Sequence, residues 1–351
     1  MEKKKPQRVR SRGEGHRIED VARQAGVAPI TVSRVLNNPA SVAEPTRSRV
    51  HAAMEHMGYI PNLLAGGLAS NKSNTIGVVL PYIDNPAFAE RVQGMTDVLA
   101  PEGFNLLLGL SGYSPEVELQ HVMAFLGQRV AALALTGNVH ADQTRRLLEK
   151  AAVPVVEVPL ISGPLIDMGV GYSNDGACYA MVEHLARCGY RKIALVTTPA
   201  LNDQIVAQRR AGYLRAVAEL GLVVDARLVV ETKLGLAGGA AALVELLARH
   251  PDIDAVFCTS DLMAIGCLLE AMRRGIAVPG DIGIAGYDDI EAAREFVPAL
   301  TTVRVQRYQM GGAAARLLLQ RIRGETPARS TLDLGFEIVP RGSTRRARLP
   351  G

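Results

Sequence analysis

The chain has 351 residues, 48% of them hydrophobic, so it is long enough to form a small domain and a larger one, each with a buried core. No run of eighteen apolar residues occurs, and the first seventeen residues are charged, without the apolar stretch of a secretory leader. We therefore expect a cytoplasmic protein with no membrane partner. The four cysteines form no C-x-x-C pair, which favours buried, reduced thiols over disulfides or a zinc site.

The formal net charge of +4 is unevenly distributed along the chain. Residues 1–72 contain 12 Lys and Arg against 6 Asp and Glu, whereas residues 73–351 contain 27 against 29. The basic excess therefore lies entirely in the N-terminal fifth. Such a concentration of positive charge suits the phosphates of a nucleic acid, although a basic tail is often only a solvated, disordered segment.

The first elements predicted along the chain are two short helices. Residues 1–16 are basic and have little that could form a core, so we expect a flexible arm there. Apolar residues then recur at helical spacing from Ile18 to Ala25, Gly26 interrupts the pattern, and Pro29 opens a second helix. Two short helices joined by a glycine-containing turn indicate a helix-turn-helix.

The second helix has an outward face, mostly polar, that is not part of its apolar stripe. That face consists of Ile30, Thr31, Ser33, Arg34 and Asn37. In a major groove, arginine can fork onto guanine, while hydroxyls and amides suit phosphate oxygens. The spacing alone also fits an αα-hairpin with a solvated outer face.

After Lys72, short apolar strands alternate with amphipathic helices, which predicts parallel βαβ arrays. The strands of the first array are predicted at 75–80, 105–110, 131–136 and 153–158. The second array is predicted to have strands at 192–197, 226–231, 254–259 and 281–286, and helices near 175–188, 208–220, 237–249 and 261–274. The predicted fold class is a small all-α helix-turn-helix domain followed by two doubly wound α/β lobes. Ligands in such folds lie beyond the carboxyl ends of the strands, which points to a cleft between the lobes.

Enzyme motifs are absent from the sequence: it contains no G-x-G-x-x-G, G-x-x-x-x-G-K-[ST], H-E-x-x-H or G-x-S-x-G. The histidines lack ligand spacing, and we expect them on the surface or in helices. We therefore predict no metal, no cofactor and no enzymatic activity. Two rival classes would differ observably, because a transport binding protein needs a secretory leader and no DNA-binding domain, and an enzyme would turn its ligand over.

Two stretches resemble the headpiece of the LacI/GalR repressor family along their whole length: IEDVARQAGVAPITVSRVLNN at 18–38 and EPTRSRVHAAMEHMGYIPN at 44–62. The resemblance implies a helix-turn-helix domain at 17–61, with a third helix at 46–57. It also implies contacts with DNA. Base edges are expected to be read by Pro29, Ile30 and Arg34, and the DNA backbone to be contacted by Thr31, Ser33, Asn37 and Tyr59.

Residues 62–72, which begin NLLAGGLAS, connect the two parts of the chain. The resemblance implies a hinge helix that forms only on operator DNA, with Asn62 and Leu68 as DNA contacts and Leu68 wedged into the minor groove. Gly66 and Gly67 each cost a helix about 1 kcal/mol relative to alanine, so we expect the free segment to be unstructured. A plain glycine-containing linker is the alternative.

One position departs from the family pattern. The chain has Ala28 where the family usually has the Ser or Thr that caps the second helix and touches a phosphate. Loss of such a cap weakens a helix start by about 1 kcal/mol. Pro29, at the first helical position, partly compensates, so we expect DNA binding to survive with some loss of affinity.

The remaining sequence resembles the family's effector domain, which is itself similar to periplasmic sugar-binding proteins. That domain is expected at 73–342, followed by a tail at 343–351. The matching positions imply that Arg209 and Asp288 hold ligand anions and hydroxyls, although Asp288 could instead cap a loop. Further effector contacts are expected at Asn85, Phe88, Thr136, Asn174 and Asp261. Helix starts are the alternative for Asn174 and Asp261, and core packing for Phe88.

Several stretches, among them LPYIDNPAFAERVQG and LDLGFEIVPRGS, resemble the gluconate-operon repressor subgroup. An aldonate such as gluconate or 2-ketogluconate is a polyol with a carboxylate, and a cleft with an arginine and several acceptors would suit it. The family also implies a homodimer on a palindromic operator, and the short polar tail has no heptads for a tetramer. We therefore predict a repressor that a sugar acid releases from DNA; another sugar, or a ligand acting as corepressor, remains open.

Overall fold

A computed structural model of the chain describes residues 16–60, 73–83, 86–200 and 203–345. The chain divides into two compact units, Met1–Ser73 and Asn74–Gly351, which we call the headpiece and the sensor. Within the described ranges, every helix is too short or too polar to cross a membrane.

The headpiece has three helices around a small apolar core. Helix α1 spans Ile18–Ala25, α2 spans Pro29–Asn37 and α3 spans Glu44–Met57. Gly26 ends α1 with a φ of 67°, a left-handed conformation that glycine adopts readily. The core side chains come from all three helices and are Val21, Ala22, Ala25, Val32, Val35, Val50 and Ala53. The predicted helix-turn-helix is confirmed, and the third helix starts two residues earlier than expected.

The sensor contains two six-stranded sheets. Its strands are β1 Thr75–Leu80, β2 Asn105–Leu110, β3 Ala132–Thr136, β4 Val155–Val158, β5 Met168–Gly171, β6 Ile193–Thr197, β7 Val229–Glu231, β8 Ala255–Cys258, β9 Gly283–Asp288, β10 Thr301–Val305, β11 Thr331–Asp333 and β12 Phe336–Val339. The first sheet has the order β11-β5-β4-β3-β1-β2 and is parallel throughout. The second has the order β12-β10-β9-β8-β6-β7 and is parallel except for β12, which pairs antiparallel with β10.

Helices cover the two sheets and complete two lobes. They are α4 Pro86–Leu99, α5 Pro115–Gly127, α6 Asp142–Ala151, α7 Asn174–Arg187, α8 Gln204–Glu219, α9 Leu236–Arg249, α10 Asp261–Arg273, α11 Glu291–Glu295 and α12 Arg307–Ile322. Helix α12 packs against α4 and against β3, β4 and β5, so it belongs to the first lobe with α4–α6. Helices α7–α11 accompany the second sheet.

The two lobes are not contiguous in sequence. The chain leaves the first sheet after β5, returns to the first lobe between β10 and α12, and crosses again between β11 and β12. The eight predicted strands are all present. The four strands that were not predicted, β5 and β10–β12, are three to five residues long.

Helices α4 and α12 approach each other closely at two glycines. A Cβ on Gly94 would collide with the carbonyl oxygen of Tyr308, and a Cβ on Gly311 would collide with that of Arg91. The short distance between the two backbones therefore requires glycine at both positions. This packing fixes the position of Arg91, which lies one turn before Gly94 on α4.

His140 contradicts the expectation of surface or helical histidines, because it is buried in the loop after β3. Its Nδ1 lies 2.8 Å from Glu118 Oε1, and its Nε2 lies 3.2 Å from Glu157 Oε1. Burial by itself lowers the pKa of His140, but hydrogen bonds and charge attraction from the two carboxylates outweigh burial and raise the pKa to about 9. The imidazole is therefore a cation at neutral pH.

The last described residues of the sensor include two buried hydroxyl side chains. Ser343 and Thr344 are buried beside the second sheet. The Ser343 hydroxyl donates to the carbonyl oxygen of Ile284 at 2.5 Å and accepts from the amide of Thr301 at 2.8 Å. The packed region thus reaches Thr344, two residues beyond the boundary expected from the sequence.

Candidate functional site

The outward face of α2 is a candidate nucleic-acid surface. Val32 and Val35 point into the headpiece core, whereas Pro29, Ile30 and Arg34 are exposed. Ile30 is 62% exposed, which places a large apolar side chain in solvent near a cation. Apolar groups can meet thymine methyls and arginine can fork onto guanine, so this face has the chemistry to read base edges.

The other expected DNA contacts vary in their surroundings. Thr31 and Ser33 on α2 are half-buried, and Tyr59 packs against the headpiece core just after α3. Asn37 is the last residue of α2. Two expected contacts, Asn62 and Leu68, lie outside the described residues, as does the segment expected to form a hinge helix.

Ala28 takes the N-cap position of α2 and gives the helix no side-chain hydrogen bond. Its carbonyl oxygen still accepts from the amides of Thr31 and Val32, at 2.9 and 3.4 Å. Pro29 follows at the first helical position. The uncapped start that the sequence predicts is therefore confirmed, because the first turn receives backbone hydrogen bonds only and no side-chain cap.

The sensor contains a cavity of about 640 Å³ between its two lobes. Many of the lining residues follow the carboxyl ends of strands. Among them are Tyr82 after β1, Pro159 after β4, Thr198 after β6, Thr232 after β7, Thr259 after β8 and Asp288 at the end of β9. This is the position that doubly wound sheets provide for ligands, and the volume lies in the range of small-molecule sites.

Arg209 lies in the cavity wall with its guanidinium held on several sides. Its Nε donates to Asn174 Oδ1 at 3.1 Å, its Nη1 to the carbonyl oxygen of Thr259 at 2.9 Å, and its Nη2 to the hydroxyl of Tyr172 at 3.0 Å. The guanidinium carbon also lies 3.8 Å from the centroid of the Tyr287 ring. The predicted effector residue Arg209 is thus brought to the cavity in a rigid position.

Two further arginines line the cavity and were not predicted. Arg91 projects from α4 and is only 6% exposed; its Nε and Nη1 have no hydrogen-bond partner among the described residues. Arg307, at the start of α12, donates through Nε and Nη2 to both carboxylate oxygens of Glu90, while its buried Nη1 has no hydrogen-bond partner in the same part of the chain and lies 3.9 Å from Asp288 Oδ1. Burial lowers the pKa of Arg91 to about 10, so the side chain stays charged at neutral pH.

Asp288 and Asp203 are the acidic residues of the cavity lining in the described part of the sensor. Asp288 has a φ of 112°, a conformation that costs a non-glycine residue about 1–3 kcal/mol and tends to persist at functional sites. Burial raises the pKa of Asp288, against the opposing charges of three arginines. Asp203 caps α8 through the amides of Ile205 and Val206, and burial raises its pKa as well. Both carboxyl groups can accept hydrogen bonds from ligand hydroxyls.

Of the next three expected effector residues, one lines the cavity and two do not. Phe88 lines the cavity beside Arg91. Asn174 is the first residue of α7, and its Oδ1 accepts a hydrogen bond from Arg209 Nε. Thr136 donates its hydroxyl to the carbonyl oxygen of Val79 at 3.1 Å and is not part of the lining.

Asp261 and Asn85 complete the expected set. Asp261 is fully buried outside the cavity lining and accepts from the Thr302 hydroxyl at 2.6 Å and the Ile290 amide at 2.9 Å. Burial, assisted by the charge of Asp288, raises the pKa of Asp261 to about 7. Asp261 therefore joins β10 to the loop after β9 and supports the cavity wall. Asn85 lies outside the described residues.

A signal in the sequence could have revealed Arg91. Phe88, Arg91, Met95 and Leu99 are buried at helical spacing on α4, so one charged residue interrupts an otherwise apolar face. Arg307 carried a weaker signal, because it follows a strand that the sequence did not predict.

Comparison with known proteins supports this division of the chain. The profile described as "Bacterial regulatory proteins, lacI family" matches residues 17–62, and the profile "Periplasmic binding protein-like domain" matches residues 182–344. The HTH-type transcriptional regulator GntR of Escherichia coli strain K12 is 35% identical over 326 residues, covering 93% of this chain and 98% of that protein. The chain belongs to the LacI family. The GntR regulator of Pseudomonas aeruginosa is 37% identical to this LacI-family chain over 330 residues, which cover 93% and 95% of the two chains.

Solved structures of LacI-family proteins have the same architecture. A LacI-family transcriptional regulator from Silicibacter pomeroyi has a TM-score of 0.88 at 31% identity, covering 94% of this chain and all of that one. The lac repressor dimer bound to operator and the anti-inducer ONPF has a TM-score of 0.82 at 27% identity, covering 94% and 99%. This LacI-family chain is therefore a DNA-binding transcriptional regulator, with a helix-turn-helix headpiece and a periplasmic-binding-protein-like sensor.

Proposed function

We propose that the protein is a repressor that a sugar acid, such as gluconate or 2-ketogluconate, releases from its operator. The observation that carries this proposal is the charge of the sensor cavity. Four cationic side chains line it, Arg91, Arg209, Arg307 and Lys233, against the two carboxyl groups of Asp203 and Asp288. Lys233 is exposed and Arg307 is paired with Glu90, but the lining as a whole carries more positive than negative groups. A concave site with such an excess favours an anionic ligand over a neutral one.

The remaining chemistry of the cavity suits a polyol. Asp203 and Asp288 supply acceptors for hydroxyl groups, and Tyr113 and Tyr172 add phenolic groups to the lining. Phe88 supplies an apolar wall for carbon atoms of the ligand. An aldonate combines a carboxylate with a hydroxylated chain and so matches both parts of this lining. The resemblance of LPYIDNPAFAERVQG to the gluconate-operon subgroup supports the same ligand class.

On DNA, we propose that a homodimer binds a palindromic operator in the cytoplasm through two copies of α2. Pro29, Ile30 and Arg34 would read base edges, with Thr31 and Ser33 on the backbone. Asn37, Tyr59, Asn62 and Leu68 complete the proposed contacts. The effector acts by changing the arrangement of the two lobes, which separates the hinge segments at 62–72 and lowers operator affinity.

The test combines ligand binding with operator binding. Thermal unfolding of the full chain is measured with gluconate, 2-ketogluconate, 6-phosphogluconate and, as the neutral control, glucose. We expect one of the acids, but not glucose, to raise the unfolding midpoint and to lower the affinity for operator in fluorescence anisotropy. Glucose binding in preference to all the acids would contradict the proposal, and an acid that tightens operator binding would make it a corepressor.

A further inference from the structure

Two of the arginines that line the cavity differ in how fully their guanidinium groups are hydrogen-bonded. Arg209, from α8 of the second lobe, donates to three protein oxygens and stacks on Tyr287, so its guanidinium is already satisfied. Arg91, from α4 of the first lobe, is more deeply buried than Arg209, yet two of its three guanidinium nitrogens lack a hydrogen-bond partner among the described residues. No carboxylate of the same residues forms an ion pair with Arg91, although the charge of Asp288 acts on it from a longer distance. The guanidinium carbon lies 5.3 Å from the centroid of the Phe88 ring.

A buried cation that lacks an ion-pair partner and hydrogen-bond acceptors is costly. Removing a charge from water costs several kcal/mol unless an opposite charge and hydrogen bonds replace the water, and buried N–H groups without acceptors add to this cost. Protein cores therefore rarely retain such a group, whereas a ligand site can retain it because the ligand supplies the missing charge. Arg91 lies in the lining of the cavity, so its charge attracts an anion bound there, while Nε and Nη1 themselves are buried.

We propose that Arg91 is the residue that binds the carboxylate of the effector, and that Arg209 is a positioning residue that holds the opposite wall. The inference rests on the proposed function, because it takes a sugar acid as the ligand. Arg307 assists through its Nη1, which has no hydrogen-bond partner among the described residues and lies 3.9 Å from Asp288 Oδ1 in a long ion pair. Asp203 and Asp288 then accept hydrogen bonds from the hydroxyl groups of the ligand.

This assignment explains how binding couples to the lobes. Arg91 belongs to the first lobe, and Asp288 ends β9 in the second, so a ligand with a carboxylate on Arg91 and a hydroxyl on Asp288 connects the two. Arg91 and Arg307 both belong to the first lobe, and the charge of Asp288, from the second lobe, attracts both of them. An anionic ligand adds a negative charge for the arginines of the first lobe while its hydroxyls reach the second, so its charge as well as its shape favours one arrangement of the lobes.

The first test compares gluconate with D-glucitol, which has the same hydroxylated chain and no carboxylate. Calorimetric titration of the full chain is expected to show gluconate binding and much weaker glucitol binding. Arg91→Gln should reduce gluconate affinity by about 30-fold or more, and should leave the weak glucitol affinity unchanged. Arg91→Lys, which keeps the charge but loses the planar fork, should restore part of the gluconate affinity.

The second test needs no ligand and checks the unpaired charge itself. Arg91→Met should raise the thermal unfolding midpoint of the ligand-free chain, because it removes a buried cation that has no partner. Arg209→Met, the matched variant in the same cavity, should lower the midpoint, because it leaves three buried acceptors unpaired. A lower midpoint for Arg91→Met would overturn the inference that Arg91 is unsatisfied in the free protein.

The outcomes separate the two proposals. If the unchanged chain binds none of the sugar acids, the proposed function fails irrespective of Arg91. If the unchanged chain binds gluconate and Arg91→Gln binds it equally well, the proposed function stands and the role of Arg91 is overturned. Equal loss of gluconate and glucitol affinity in Arg91→Gln also contradicts a carboxylate-binding role, since it would mean that the cavity as a whole is altered.

Discussion

Arg34 is an exposed cation in the middle of α2, on the face that also exposes Ile30. If Arg34 reads a guanine, Arg34→Ala should reduce discrimination between operator and random DNA by about 1–3 kcal/mol, or roughly 5- to 150-fold. Sugar-acid binding to the sensor should not change. Competition anisotropy with an unlabelled random duplex measures the ratio. Arg47→Ala on α3, which removes a cation paired with Glu44, is the matched control. Unchanged discrimination in Arg34→Ala would contradict the assigned recognition face.

The buried His140 predicts how the stability of the folded chain changes with pH. Its pKa of about 9 in the folded chain lies above the ordinary value of 6.5, so its contribution to stability is complete below pH 6.5 and is lost as the pH rises through 9. We expect the free energy of unfolding to fall by roughly 3 kcal/mol across this window. Denaturant unfolding at several pH values measures the fall.

A variant isolates the contribution of His140 from that of other titrating groups. Glu118→Gln keeps the shape of one partner and removes its charge, so the pKa of His140 and the size of the fall should both decrease. The imidazole nitrogen shifts in NMR report the pKa directly. A pKa near 6.5 for His140 in the unchanged chain would refute the buried cation between two carboxylates.

Individual residues were predictable from the sequence to different degrees. Arg209 and Asp288 were selected by resemblance, and both line the cavity. Asp261 was selected because it follows a strand, but its carboxyl turns away to Thr302 and Ile290. A position at a strand end specifies where a residue lies, whereas the direction of its side chain depends on partners that are distant in sequence.

At the scale of elements, the contact between α4 and α12 depends on glycine. Gly311→Ala should lower the free energy of unfolding of the sensor by roughly 1–3 kcal/mol, because a Cβ would collide with the carbonyl oxygen of Arg91 and force the helices apart. Gly127→Ala at the end of α5 is the matched control, since a Cβ there meets no neighbour and should stabilise the helix by up to about 1 kcal/mol. Chemical denaturation of both variants provides the comparison, and equal effects would contradict the close contact.

The strands that lie within a clear apolar run were predicted, and four strands that lack such a run were missed. Strands β1 and β2 fall on the predicted residues, because six consecutive residues of mostly apolar character carry a clear signal. Strand β5 has the sequence MGVG, and β11 has three residues, so neither contains a pattern that distinguishes it from a loop. These strands exist because neighbouring strands pair with them, and that information is not local in the sequence.

For the whole molecule, effector and operator must affect each other equally. If a sugar acid lowers operator affinity by some factor, operator must lower the affinity for the acid by the same factor, and factors of about 5–150 are typical of such coupling. Titration of gluconate into the full chain with and without operator measures one factor, and operator anisotropy with and without gluconate measures the other. A random duplex of equal length is the control. Gluconate affinity that is insensitive to operator would contradict the proposed release.

The three crossings of the chain between the lobes also constrain how the protein can be made. The first sheet needs β11 at residues 331–333, and the second needs β12 at 336–339, so neither sheet is complete until nearly the whole chain has left the ribosome. Folding during synthesis therefore leaves unpaired edges on both sheets until the last strands arrive. A message truncated shortly before residue 331 would yield a chain with two incomplete lobes, a candidate for aggregation or proteolysis rather than a half-functional regulator.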